Sequence, residues 1–99
     1  MPPEVFGNEH VPYDGIKVDV WCLGVSLLYL LIRQNIWNIP ASHDKNFLIL
    51  IINNRLEDYL SNVLKFPLVL TDLLVNMLKF NPEERFSSLQ VLNHPWVRP

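Results

Sequence analysis

The sequence predicts an all-α fold, with four to five helices around one buried central helix. Three observations predict it. A run from Val18 to Ile32, broken only by Asp19, Gly24 and Ser26, is apolar on every side of a helix. Such a helix belongs in a core rather than on a surface. Helix-start signatures recur at Asn81-Pro82-Glu83-Glu84 and at Ser87–Gln90. One segment, Phe47–Ile52, has strand-like composition, and no second strand stands ready to pair with it. The chain has 99 residues, 49% of them hydrophobic and 18% charged, which is apolar for one small domain. A chain of this size buries only about 60–65% of its unfolded surface. Some of its apolar surface is therefore expected to be covered by polypeptide outside this sequence.

The elements follow in order. Residues 1–17 hold Pro2, Pro3, Gly7, Pro12 and Gly15, which favour a looped, extended entry. The central helix begins near Val18, with Asp19 in its first turn and Arg33 past its end, both suited to the helix dipole. Residues 34–43 are polar, carry Pro40 and form a loop. Asp44 caps a second helix reaching about Asn54. Residues 56–64 form a short amphipathic turn or helix, interrupted by Pro67. Thr71 caps a third helix through about Lys79, and Asn81-Pro82-Glu83-Glu84 starts another. Ser87 and Gln90 have the spacing of a capping box before a last short helix, which His94-Pro95 ends.

Composition excludes several function classes. The formal net charge is −2 with no basic run, which argues against nucleic acid as a partner. His10, His43 and His94 are scattered and lack metal-ligand spacing with Cys22. A single cysteine permits no internal disulfide and suits a reducing, cytoplasmic compartment. The N-terminus has neither a basic start nor an apolar leader. The uncharged stretch Val20–Ile32 would span about 20 Å as a helix, short of a bilayer core of roughly 30 Å. No membrane partner is expected.

Three segments in order resemble one family. Pro3-Glu4 resembles the end of the Ala-Pro-Glu motif that closes the activation segment of eukaryotic serine/threonine protein kinases. Asp19-Val20-Trp21-Cys22-Leu23-Gly24-Val25 resembles their Asp-x-Trp-Ser-x-Gly-Val helix. Asn81-Pro82-Glu83-Glu84-Arg85-Phe86, with Leu92-Asn93-His94-Pro95-Trp96, resembles their closing stretch. The resemblance covers the whole chain and implies that residues 1–99 are a partial protein kinase domain, the C-terminal half of the large lobe. It implies a buried ion pair between Glu4 and Arg85, since a planar guanidinium binds a carboxylate through two parallel hydrogen bonds. The alternative is that both are solvated surface charges. Asp19 would anchor the catalytic loop of a full-length parent; in this chain alone it is a helix-terminal Asp. Trp21 and Trp96 are expected at or near the core. Gly24 costs a helix about 1 kcal/mol against Ala, which points to close packing. Cys22, where the family often has Ser, is expected to be a buried, inert thiol.

The absent motifs bear on the chemistry. Phosphoryl transfer in this family uses a Gly-rich loop, a strand Lys paired with a helix Glu, a His-Arg-Asp loop and an Asp-Phe-Gly metal site. None occurs here, and three widely separated glycines cannot form Gly-x-Gly-x-x-Gly. No cofactor is expected in this chain; ATP and magnesium belong to a full-length parent. The sequence also departs from the family pattern at Pro2, at Arg33–Trp37, and at Tyr29, where kinases selecting basic substrates carry Glu. Two function classes remain open: a fragment of a serine/threonine kinase, with Met1 an internal Met of the parent, or a short binding module using the docking helices. The partner expected over the apolar surface is the remainder of a kinase domain or another protein. An unrelated helical domain is the third reading.

Overall fold

The computed structural model describes residues 15–37 and 43–98. Among these residues every regular element is helical, and no strand occurs. Helix α1 spans Gly15–Ile32, starting earlier than the apolar run alone suggests. Asp19 therefore sits in the second turn, not the first, and is exposed. Its place in the helix gives it no terminal N–H groups to cap. Arg33, at φ 61°, ends the helix while its N–H still donates to the Tyr29 carbonyl.

Only one face of α1 is buried: Val20, Trp21, Gly24 and Leu28. This spacing follows the helical repeat. The opposite side presents Leu23 at 54% exposure and Leu30 at 61%, with Ile16, Tyr29 and Leu31 also exposed. Among the described residues the helix finds packing partners for one face, so part of its apolar surface is left uncovered, as the high apolar content of so short a chain led one to expect. The helix has the length and hydropathy of a membrane span, with 22% of its residues buried. Its buried positions nevertheless form a continuous seam against α4, as in a core helix with one side uncovered.

Helix α2 opens at Lys45–Phe47 and widens into a π-helical turn over Leu48–Ile52. The expected cap is present, with Asp44 Oδ1 accepting the N–H of Asn46 at 3.1 Å and of Phe47 at 3.3 Å. The widening shows in five-residue hydrogen bonds from Asn53 to Leu48 and from Arg55 to Leu50, each 3.0 Å. Phe47–Ile52 is thus helical, and it directs Phe47, Leu50 and Ile51 inward. Helix α3 opens at Leu56–Asp58 and continues as a second π-helical turn, Tyr59–Val63, burying Leu56 and Leu60.

Helix α4, Leu68–Met77, starts three residues before the expected cap. The Pro67 carbonyl already accepts the Thr71 N–H at 3.0 Å, and Pro67 itself precedes the first turn. Proline pre-sets φ and has no N–H to leave unsatisfied at a helix start. Thr71 therefore lies inside the helix and is fully buried. The next expected helix start, Asn81-Pro82-Glu83-Glu84, forms only a turn, in which Asn81 Oδ1 accepts the Glu83 N–H at 3.0 Å. The turn does not propagate, because the Phe86 N–H, which a continuing helix would donate to the Pro82 carbonyl, donates instead to the Asn76 carbonyl at 3.0 Å. Helix α5, Ser88–Leu92, carries the expected capping box with both arms made by Ser87 and Gln90. It stops before His94-Pro95.

Trp21, Phe47 and Trp37 meet at the centre of the main core, with centroid separations of 5.5 to 6.2 Å. Leu60, Leu74 and Leu78 close around them. A smaller core joins Val20, Leu73, Met77 and Val91. Gly24 lies where α1 crosses α4. A Cβ there would stand 3.0 Å from Leu78 Cδ2 and 3.1 Å from Met77 Cβ. The close packing expected of this glycine is therefore present. Replacing it by a branched residue sets overpacking of about 1–3 kcal/mol against a helix-propensity gain below about 1 kcal/mol. Gly24→Val is expected to lower unfolding free energy by about 2 kcal/mol, read as a lower urea midpoint at unchanged slope; an unchanged midpoint would show that α1 and α4 do not meet there.

Candidate functional site

The most densely bonded side chain among the described residues is Arg85, only 1% exposed. Nε and Nη2 donate to the Lys79 carbonyl at 3.1 and 3.0 Å, and Nη2 also reaches the Phe80 carbonyl at 3.3 Å. Nη1 donates to the Lys17 carbonyl at 2.9 Å. In return, Lys17 Nζ donates to the Arg85 carbonyl. The guanidinium carbon lies 4.9 Å from the centroid of the Trp21 ring. A buried guanidinium needs its N–H groups satisfied, and its planar fork suits several carbonyls at once. Arg85 thereby ties the first turn of α1 to the segment following α4.

Glu4, the expected partner of Arg85, lies outside the described residues, as does the Pro3-Glu4 motif. The solvated alternative for Arg85 is corrected, since the side chain is buried. Trp21 is wholly buried as expected, and its Nε1 has no hydrogen-bond partner among the described residues. Trp96, expected at or near the core, is 40% exposed, because the turn after α5 carries it outward past His94. Cys22, expected to be buried, is exposed, since it falls on the uncovered side of α1 next to Leu23.

A second junction escaped the sequence reading. His94, 7% exposed, approaches Asp72 Oδ2 through Nε2 at 2.8 Å. Its Nδ1 accepts the Trp96 N–H at 3.2 Å, which assigns the ring proton to Nε2. Both ring nitrogens are thus engaged, and the pair fastens α4 to the turn after α5 rather than offering a free base. The sequence signal was incomplete: His94 stood out as part of a helix stop and of the closing motif, with no partner indicated, and Asp72 as an ordinary helix residue. Trp37, marked in the sequence only as part of a departure from the family pattern, packs edge-on to Phe47.

The arrangement is a scaffold. Among the described residues no three His, Cys, Asp or Glu side chains converge to hold a metal ion. The sequence contains no Gly-rich loop for phosphates. The described residues therefore offer no ligand set fitted to the nucleotide and magnesium of kinase chemistry.

Comparison with known proteins agrees with this geometry. The protein kinase domain family matches residues 1–97. The chain is 34% identical over 98 residues to Aurora kinase C of Mus musculus, covering 99% of this chain and 32% of that protein. It is 34% identical over 100 residues to calcium-dependent protein kinase 19 of Arabidopsis thaliana, covering 99% of this chain and 17% of that protein. It is also 34% identical over 101 residues to serine/threonine-protein kinase cds1 of Schizosaccharomyces pombe, covering 97% and 21%. The chain belongs to the protein kinase domain family, and it spans about a third or less of the length of these curated relatives.

Lysine at position 85 would keep the charge but lose the fork and the stack over Trp21. Hydrogen bonds to a charged donor contribute about 1.5–3 kcal/mol each when a partner is left unsatisfied. Arg85→Lys is therefore expected to cost about 2–3 kcal/mol in chemical denaturation, with tryptophan emission shifting to the red as Trp21 becomes hydrated. An emission spectrum and midpoint identical to the parent sequence would contradict this role.

Proposed function

We propose that this chain is the C-terminal part of the large lobe of a serine/threonine protein kinase and does not transfer phosphate by itself. The observation that carries the reading is the family match over residues 1–97 by a sequence without any phosphate-binding or catalytic-loop motif. Kinase catalysis is mostly positioning and electrostatic stabilisation of the transferred phosphoryl group. A helical scaffold without those groups has nothing with which to position ATP. The parent's activity on this reading is ATP-dependent phosphorylation of serine or threonine in proteins, with magnesium and ATP held by its other segments.

The uncovered side of α1 supports the same reading. Leu23, Leu30, Leu31 and Ile16 lie exposed on a helix whose other side forms the core. Each large apolar side chain left in water forgoes about 1.5–3 kcal/mol of burial. The remainder of a kinase lobe is the partner this side would take, with Asp19 on the same helix available to anchor the catalytic loop. Cys22, lone and exposed, suits a reducing compartment such as the cytoplasm.

The purified chain is expected to show no saturable ATP binding by calorimetry with magnesium present, and no phosphate transfer to a generic protein substrate. Binding that responds to substitution in this chain would overturn the reading. The double substitution Leu23→Lys/Leu30→Lys is expected to lower apolar-dye fluorescence severalfold and convert self-associated chain toward monomer. If the unsubstituted chain is already a dye-silent monomer with a sharp melt, α1 has no missing cover and the domain is self-sufficient.

A further inference from the structure

We infer that His94 is a pH-sensitive latch: neutral, it holds the turn that follows α5, and protonated, it releases that turn while staying bonded to Asp72. The ring lies where α4, α5 and the turn meet, and the residue is 7% exposed. Its two nitrogens make unlike bonds. Nε2 donates to Asp72 Oδ2 at 2.8 Å, and Nδ1 accepts the Trp96 N–H at 3.2 Å. A neutral imidazole has one donor and one acceptor and satisfies both contacts. An imidazolium has two donors and satisfies only the first. Turning the ring over brings no relief, since both nitrogens then carry a proton. The Trp96 N–H is left facing another N–H, and the buried ring cannot swing out to water without giving up Asp72.

The rest of the junction decides which part moves. Asp72 accepts from Nε2 in both charge states of the ring. Phe86, with its ring centroid 6.1 Å from that of His94, is tied to α4 by its N–H on the Asn76 carbonyl at 3.0 Å. The α4 side of the ring is therefore fixed. The turn is not. Apart from the Nδ1 contact, it is held by the Val97 and Arg98 N–H groups on the His94 carbonyl, at 2.9 and 2.8 Å, and Pro95, Trp96, Val97 and Arg98 are all exposed. Proton uptake thus frees the segment from Pro95 onwards and leaves α4 and α5 in place. Few other charges bear on the ring. Lys79 and Glu57, of opposite sign, line the same cleft as His94 and Asp72. α5 carries no titratable side chain. Of the residues before Phe86, Arg85 faces Lys17 and Trp21, Glu84 lines the cleft beside Leu50 and Ile51, and Glu83 is exposed. Asp72 is the charge in direct contact.

The latch is built from contacts within this chain, and its test does not measure catalysis. The full chain is followed by hydrogen–deuterium exchange between about pH 8 and about pH 5, the range in which histidine side chains change charge, with each rate corrected for the intrinsic effect of pH. Protection of the Trp96, Val97 and Arg98 amides is expected to fall about 10-fold over that range, while the Leu73 and Leu74 amides in α4 keep theirs. His94→Gln cannot take up a proton and should abolish the pH dependence, with His10 and His43 still present. Asp72→Asn, at an exposed position, removes the negative charge that favours an imidazolium and should carry the fall to lower pH. The inference is overturned if protection of Trp96–Arg98 does not change with pH, or if the fall persists in His94→Gln. It is also overturned if α4 loses protection in step, since that is acid unfolding of the whole chain. Where His94→Gln is unprotected at every pH, Asp72→Asn decides: a fall at the same pH as in the unsubstituted chain overturns the latch.

Discussion

Arg85 is the constraint on which the rest of the structure depends. Its guanidinium holds carbonyls of Lys79, Phe80 and Lys17 together and lies over Trp21. These groups come from opposite ends of the described chain, 68 positions apart at Lys17. A hydrogen bond between such distant segments fixes the direction in which the chain must return after α4. The segment Asn81–Glu84 stops at a single turn, where the Phe86 N–H leaves the local pattern for the Asn76 carbonyl at 3.0 Å.

The core grows outward from the same place. Trp21 lies beneath the guanidinium and touches Trp37 and Phe47. Phe47 is brought there by the Asp44 cap, and Trp37 by the chain leaving α1. Gly24, one turn further along α1, lets α4 approach closely enough for Leu74 and Leu78 to join this core. On the far side of α4, Asp72 and His94 fasten the last helical turn. The scaffold is thus pinned by two polar junctions, one on each side of an apolar centre.

α1 unites these features and leaves one unresolved demand. Its buried side makes the central contacts, while its other side keeps Leu23 and Leu30 in water. A helix apolar all round needs cover all round, and among the described residues only one side finds it. This asymmetry accords with a chain spanning about a third or less of the kinases it resembles.

The sequence by itself determined the helical class, the central helix, the Asp44 cap and the Ser87–Gln90 capping box, because each rests on local spacing or on contacts within a few residues. It also marked Gly24, since a helical glycine carries an intrinsic cost that packing must offset. Tertiary structure decided what local rules cannot see. Thr71 and Asn81-Pro82 have the residue types of helix starts, yet Pro67 opened α4 earlier and the Phe86 N–H went back to the Asn76 carbonyl instead of extending a new helix. Cys22 and Trp96 carry apolar character suited to a core, but their exposure depends on which side of α1 and of the final turn has a neighbour. The Asp72–His94 junction joins residues 22 apart in sequence, and no periodicity announces it. Position along a helix can be read from spacing; which face is covered, and by what, is fixed only when the chain returns to itself.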